Sequence, residues 1–159
     1  MATQFFVNGA TFASFIPRLP EIRDRIDVST GVLGVLMTTA LVLGLAGSLI
    51  SGWVLNRFGT RLTLIGGAAL LVLTLPLIGF AMTPIVFVLA LGLMAALDVV
   101  VDVSMNLQGS WLSARRHAPI MNRLHGLWSL GAVVGGLTAA RLTASNVSLQ
   151  THLVGVSLV

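Results

Sequence analysis

The sequence has 159 residues, of which 56 % are hydrophobic and only 9 % are charged, whereas soluble domains contain about 25 % charged residues. Nine basic and five acidic side chains are too few to cover a folded chain of this length, so a water-soluble domain is excluded and lipid is the expected solvent for most of the surface. The net charge of +4 comes from arginines spread in short runs between apolar stretches, which excludes the basic face of a nucleic-acid-binding domain. The absence of cysteine excludes disulfides and thiolate metal sites.

The apolar stretches have the length of membrane-spanning helices, since roughly 20 apolar residues cross the hydrocarbon core. The first stretch is short and begins almost at Met1, but it lacks the basic region and the cleavage site of a signal peptide, so it is predicted to be a first helix. The predicted spans are about 5–17, 31–55, 62–81, 85–111 and 120–140, followed by the start of a sixth at 152–159. The sequence therefore predicts an all-α membrane protein with a single transmembrane domain over residues 1–159.

The first connection is the most charged part of the chain. Residues Glu21–Asp27 are predicted to form a loop or a short interfacial helix, and the three arginines of this connection are interleaved with three acids, which favours internal pairing. Ser29 is predicted to be the N-cap of the second span. Small residues within that span are spaced so that a neighbouring helix can approach closely; they are Gly44, Gly47, Ser48 and Gly52.

The distribution of arginines leaves the orientation of the chain nearly undecided. With the amino terminus inside, the cytoplasmic connections and their flanks carry five arginines and the outer connections carry four. The positive-inside rule counts basic residues rather than net charge, so the acids of the first connection do not alter this count. The sequence alone only leans towards a cytoplasmic amino terminus.

The connection between the second and third spans has a recognisable pattern. Gly52 is followed after three residues by Asn56 and Arg57, and then by Gly59 and Arg61. This pattern resembles the signature between helices two and three of the major facilitator superfamily, and the resemblance implies a cytoplasmic loop that takes part in conformational switching. Asn56 stands where the superfamily carries an acid, so a neutral hydrogen bond is expected in place of that acid's ion pair. The rival interpretation is a generic basic turn between two apolar helices.

Further motifs resemble one branch of that superfamily, the bacterial inner-membrane proteins related to the fucose:proton symporter. The resemblance implies that Asp102 and Asn106 take part in proton coupling. It also implies two six-helix halves, so the chain is expected to be the amino-terminal half, truncated within helix six, whose carboxy-terminal half is missing. The motifs are Asn8-Gly9 in the first span, Pro17–Pro20 at its exit, Asp102–Asn106 in the fourth span and His125–Gly131 in the fifth.

Two aspartates in the fourth span carry the clearest chemistry. Asp98 falls close to mid-membrane and Asp102 lies one turn nearer the cytoplasm, on the same helix face because four residues separate them. A charged aspartate at the bilayer centre costs about 2.5–3.5 kcal/mol, and two carboxylates one turn apart do not both ionise easily. Asp102 is therefore predicted to be the proton-coupling residue, with Asp98 tuning it or binding substrate. The structural alternative is that one or both pair with an arginine.

Other polar residues in the spans are candidates for substrate contacts. Asn8 and Asn106 are predicted to hydrogen-bond the substrate, as is Gln108, although buried amides also join helices. His125 is a candidate substrate-binding residue, and it is also a candidate for a relay with the acids or for a packing role at the headgroup level. Trp128 is a candidate for stacking on a sugar ring or for packing between helices.

The expected function is secondary active transport of a small, sugar-like solute by proton symport, with the proton and the lipid bilayer as partners and no cofactor, metal or nucleic acid. Two alternatives stay open: drug or metabolite efflux by proton antiport, and a non-transporting scaffold or sensor derived from a transporter. The run Gly131–Gly136 has close-packing spacing but lacks the proline of the antiporter motif, which disfavours antiport. An enzyme is disfavoured because the stretch before Asp98 lacks the Asp-Gly and Arg of membrane CDP-alcohol phosphotransferases.

Overall fold

The computed structural model describes residues 1–158, which are helical over most of their length and contain no strand. The all-α prediction is therefore confirmed for this part of the chain. Three of the helices are long and apolar enough to cross a membrane, namely Thr30–Gly79, Pro84–Arg116 and Met121–Ala144. In chain order the elements are α1 (Ala2–Ala13), a 3-10 turn (Ile16–Arg18), α2 (Leu19–Arg25), α3 (Thr30–Gly79), α4 (Pro84–Arg116), α5 (Met121–Ala144) and α6 (Leu149–Ser157).

Helix α3 contains both of the spans that the sequence predicts on either side of a polar loop, with a break at one residue in place of the loop. The predicted spans 31–55 and 62–81 lie on one element that is interrupted only at Gly59, where φ is 73° and ψ is 159°. The flanking polar residues stay helical because a glycine in this conformation supplies the whole break. Leu33 and Leu75 nevertheless belong to one apolar cluster, although a straight helix would hold them roughly 60 Å apart. The chain therefore reverses direction at Gly59, between a first arm (30–58) and a second arm (60–79).

Side-chain caps fix where three of the helices begin. Ser29, Thr83 and Ser148 each accept a hydrogen bond from the backbone N–H three residues further on, which satisfies one of the free donors at a helix N-terminus. The predicted N-cap role of Ser29 is thus confirmed. At the other end, α4 stops at His117, which adopts a left-handed conformation with φ 49°.

Helix α1 packs mainly on α5, and glycines set the separation of the two helices. A Cβ on Gly131 would overlap the backbone carbonyl of Phe6, and one on Gly135 would overlap that of Ala10. Gly9 stands equally close to the backbone of Trp128. The closely spaced glycines of the fifth span therefore form the surface on which α1 packs.

Helix α3 packs mainly on α4, again through small residues. Gly44 and Gly47 lie against Ala95 and Ala96, so that an added Cβ would overlap atoms of α4. Gly52 differs from the prediction, because a Cβ there would meet no atom within 4 Å among the described residues. Ser48 also lies on an exposed surface, where its hydroxyl bonds its own helix.

Two apolar clusters fill the interior and meet at a polar level. On α1, Phe5 belongs to one cluster and Phe12 to the other, with Asn8 between them. On α4, Leu97 packs against the same cluster as Phe12, and Val101 belongs to the same cluster as Phe5. Asp98 directly follows Leu97 and so lies between the two. Asn8 and Asp98 thus lie at the same level, between the two clusters.

Candidate functional site

A chain of hydrogen bonds joins three helices at this polar level. The Asn8 side-chain Nδ2 donates to Oδ1 of Asp98 across 2.8 Å, and Nε1 of Trp128 donates to Oδ1 of Asn8 across 2.7 Å. Asn8 is only 4 % exposed and uses both ends of its amide. Its orientation follows from its neighbours, because an indole N–H can only donate and a carboxylate can only accept.

The glycine contacts explain how the three side chains meet. Gly9 allows α1 to lie directly on the backbone of α5 at Trp128, and its neighbour Asn8 then faces the indole. Helix α4 brings Asp98 to the opposite side of Asn8. The three sequence-predicted residues Asn8, Asp98 and Trp128 are therefore brought together, and their polar groups bond one another.

Asp102 lies one turn further along the same face of α4 and is exposed. Within residues 1–158 its carboxylate accepts no hydrogen bond and forms no ion pair, since the described ion pairs involve only the arginines of the first connection. Asn106 bonds its own helix, donating from Nδ2 to the backbone oxygen of Asp102 across 2.9 Å. The Asp102 carboxylate is thus available to a proton or to a group outside the described residues.

His125 lies apart from the two acids. Its ring makes an edge-to-face contact with Phe5, with ring centroids 5.5 Å apart, and the residue is otherwise exposed on α5. No side-chain hydrogen bond joins it to either aspartate within the described part of the chain. This position fits the packing role better than the predicted relay.

The predicted switch loop is a helix break with a basic surface. Asn56 and Arg57 are exposed, and the Arg57 guanidinium lies 5.8 Å from the centre of the Phe58 ring. Arg61 and Arg115 line a cavity of about 760 Å³ between α1, α3 and α4. Gln108, a predicted substrate contact, lines the same cavity and is therefore separate from the hydrogen-bond chain of Asn8.

The first connection forms an ion-pair network, which confirms that its charges pair internally. Arg18 Nη1 lies 2.9 Å from Oε2 of Glu21, and Arg25 Nη2 lies 3.5 Å from Oε1 of the same residue. Arg25 also donates to the backbone oxygen of Gly79 across 2.7 Å. At the surface, Arg23 pairs with Asp24.

The sequence did not show that this network reaches the last helix. The Gln150 amide lies against the Arg25 guanidinium, and the orientation that satisfies both residues turns its oxygen towards the arginine. His152 on α6 is also buried. The contact of Gln150 with Arg25 and the burial of His152 both depend on where α6 packs, and no local sequence pattern predicts that position.

Comparisons with known proteins place the chain in a family. The model of the Major Facilitator Superfamily matches residues 1–156. An uncharacterized MFS-type transporter of Yersinia pestis is 29 % identical over 131 residues, 82 % of this chain and 34 % of the relative. The membrane protein MosC of Rhizobium meliloti is 30 % identical over 138 residues, 87 % of this chain and 34 % of the relative.

A further relative, an uncharacterized transporter of Sinorhizobium fredii, is 27 % identical over 156 residues, which make up 96 % of this chain and 40 % of the relative. The chain therefore spans about a third to two fifths of the length of these curated relatives. No solved structure matches the chain.

Proposed function

The chain belongs to the major facilitator superfamily, and from this premise we propose that the complete protein is a secondary active transporter. It moves a small solute across the cytoplasmic membrane by alternating access and couples this movement to protons as a symporter. Family membership supports a transporter over an enzyme, and three helices long and apolar enough to cross a membrane support a multi-pass arrangement. The branch related to the fucose:proton symporter stays a prediction, since none of the three relatives above is named for it.

The observation that carries the proton-coupling proposal is the different situation of two acids on one helix face. Asp98 accepts a hydrogen bond from Asn8, whereas Asp102, one turn away, has an exposed carboxylate without a polar partner among residues 1–158. A carboxylate in a membrane helix is costly unless it is solvated, paired or protonated. We therefore assign the coupling role to Asp102, the acid of the two that no described group holds.

Asp98 then links the proton site to the helix packing. Its bond to Asn8, and the bond of Trp128 to Asn8, connect α4 to α1 and α5. A change of charge at Asp102 acts on Asp98 because like charges one turn apart repel each other. Protonation of Asp102 therefore strengthens the tie between α4 and the α1–α5 pair, and proton release weakens it.

The solute is proposed to be small and polar, with a sugar as the working choice. This choice rests on the resemblance of the sequence motifs, and the aromatic face of Trp128 suits a sugar ring. Trp128 and Asn106 can each still contact a solute. Trp128 uses only its Nε1–H in a hydrogen bond, which leaves its ring face free for stacking, and Oδ1 of Asn106 accepts no hydrogen bond within the described residues. Asn8 acts as a positioning residue, since both ends of its amide are already bonded.

The orientation is proposed to be amino terminus inside. The superfamily signature around Gly59 implies a cytoplasmic loop, and Arg61 of that loop lines one cavity together with Arg115. These arginines would lie at the anionic cytoplasmic surface. The network of Arg18 and Arg25 would then lie at the outer end.

Uptake by the complete protein in proteoliposomes tests the proposed function. A panel of radiolabelled sugars and cationic drugs is offered with an imposed pH gradient, acidic outside. Accumulation of one solute that follows the gradient and fails in Asp102→Asn supports symport, and Asp27→Asn, an exposed acid outside the spans, is the matched control. Export driven by the reverse gradient identifies an antiporter instead, and no gradient-dependent flux for any solute points to a scaffold or sensor.

A further inference from the structure

The cavity of about 760 Å³ opens at the end of the structure where the two arms of α3 meet and α4 ends. Its volume lies within the range of small-molecule sites in proteins, which is roughly 300–1,000 Å³. Its walls come from α1, from the second arm of α3 and from the last turns of α4. The cavity therefore lies in the crevice where α1 meets the α3–α4 pair.

The polar side chains in these walls are rich in hydrogen-bond donors. Arg61 on α3 and Arg115 on α4 line the cavity from two different helices, and both are exposed. Gln4 on α1 and Gln108 on α4 add side-chain amides, each of which can donate two hydrogen bonds. Within residues 1–158 neither guanidinium forms an ion pair, since the described pairs belong to arginines of the first connection.

The chain's acids lie too far away to balance these two positive charges. Arg25 of the first connection bonds Gly79, at the far end of the second arm and roughly 30 Å from Gly59. On α4, the nearer acid, Asp102, lies roughly 20 Å along the helix from Arg115. Exposed charges beyond about 8 Å are largely screened, so a negatively charged ligand would meet two cations and no acid. The three acids of the first connection are Glu21, Asp24 and Asp27.

An exposed apolar side chain lies one turn deeper in the membrane than each arginine. Ile65 follows Arg61 on the second arm and is 59 % exposed, and Trp111 precedes Arg115 on α4 and is 54 % exposed. Both line the same cavity. Because side chains four residues apart share a helix face, each arginine and its apolar neighbour form one continuous wall. The cavity is thus cationic at the helix ends and apolar further into the spans.

This order of charge and apolar surface matches a phospholipid with a net negative charge, whose phosphate lies at the membrane surface and whose acyl chains run inward. A guanidinium can donate two parallel N–H groups to phosphate oxygens, and basic pockets between membrane helices suit anionic headgroups. A phosphate compound without chains would leave Ile65 and Trp111 exposed.

We propose that the cavity binds one anionic phospholipid, with its phosphate between Arg61 and Arg115 and its chains against Ile65 and Trp111. This is a specific site, beyond the general attraction of basic residues to an anionic surface. It is separate from the acids of α4, and lipid binding there requires neither transport nor a coupled proton.

Native mass spectrometry of the purified complete protein tests this proposal, with dioleoylphosphatidylglycerol as the probe. One lipid is expected to bind at concentrations at which dioleoylphosphatidylcholine, which has the same chains but no net charge, leaves the protein free. Glycerol 3-phosphate, which has the phosphate without the chains, is not expected to compete with the lipid. Equal binding of the two lipids would overturn the proposal, and so would equally strong binding of glycerol 3-phosphate, which would indicate a site for free phosphate compounds.

Substitutions decide whether the lipid occupies this cavity. Arg61→Gln and Arg115→Gln are each expected to weaken binding of the first lipid about fivefold, because a basic residue near the surface contributes about that factor. Arg116→Gln and Arg123→Gln are the matched controls, since both arginines are exposed at the same end but do not line the cavity, and they should leave binding unchanged. An equal loss in both pairs would show general attraction only and overturn the proposal.

Trp111→Ala provides a further variant that keeps both charges, in case a cavity arginine is needed for folding. It is expected to weaken lipid binding several-fold, because the acyl chains lose an aromatic contact surface. Unchanged lipid binding in this variant would contradict the placement of the chains in the cavity.

Discussion

Asn8 and Asp98 are 90 residues apart in the chain, yet the amide of the first donates to the carboxylate of the second across 2.8 Å. This bond joins the α1–α5 pair to the α3–α4 pair at the level where the two apolar clusters meet. A second hydrogen bond, from Trp128 on α5 to Asn8, completes the network. The candidate site is thus part of the packing that holds the helices together.

Replacing Asn8 by alanine should destabilise the protein and weaken transport. The variant leaves the Trp128 N–H and the Asp98 carboxylate without their shared partner, and hydrogen bonds between membrane helices contribute about 1–2 kcal/mol at most. The unfolding midpoint of the complete protein in detergent is the measurement. Asn122→Ala, at an exposed position of α5, is the control, and an equal loss in both variants would argue against a specific role for Asn8.

Gly135 and Gly136 are neighbours that should respond differently to a side chain. A Cβ at Gly135 would overlap the backbone of Ala10 on α1, whereas a Cβ at Gly136 would meet nothing within 4 Å. Gly135→Ala should cost about 1–3 kcal/mol through overpacking, and Gly136→Ala should be neutral or stabilise by up to about 1 kcal/mol through helix propensity. Unfolding of the two purified variants compares them directly; a reversed order would contradict the packing of α1 on α5.

Gly59→Ala should destabilise the protein at the helix break. Gly59 has φ 73° and ψ 159°, a region that is almost restricted to glycine and costs other residues about 1–3 kcal/mol. Gly52→Ala serves as the control, because that glycine is helical and has no neighbour within 4 Å. If alanine is tolerated equally well at both positions, the chain does not turn at Gly59 as described.

The sequence was sufficient to predict the membrane class and the main helices, because hydrophobic length is a local property that each span carries in itself. It also predicted the cap at Ser29 and the internal pairing of the first connection, both of which join residues close in the chain. The helix break at Gly59 was expected as a turn, but the sequence did not show that a single residue suffices. The polar residues Asn8, Asp98 and Trp128 were each identified as candidates.

What the sequence could not predict is which of these residues meet. The bond between Asn8 and Asp98 depends on the rotation of α1 against α4, and no local pattern encodes that rotation. The same holds for Gly135 and Gly136, which are adjacent in one run although only the first faces α1. The burial of Arg18 and His152 likewise follows from the packing of α6 against the first connection.

Asp102 is proposed to carry the coupled proton, and proton movement driven by the solute is the decisive test of this assignment. The complete protein is reconstituted in lightly buffered proteoliposomes without an imposed gradient, the transported solute is added outside, and the external pH is recorded for wild type, Asp102→Asn and the control Asp27→Asn. Alkalinisation of the medium is predicted for the wild type and for Asp27→Asn, and no pH change is predicted for Asp102→Asn, although this variant still binds the solute. Alkalinisation of wild-type size in Asp102→Asn would show that the proton travels on another group.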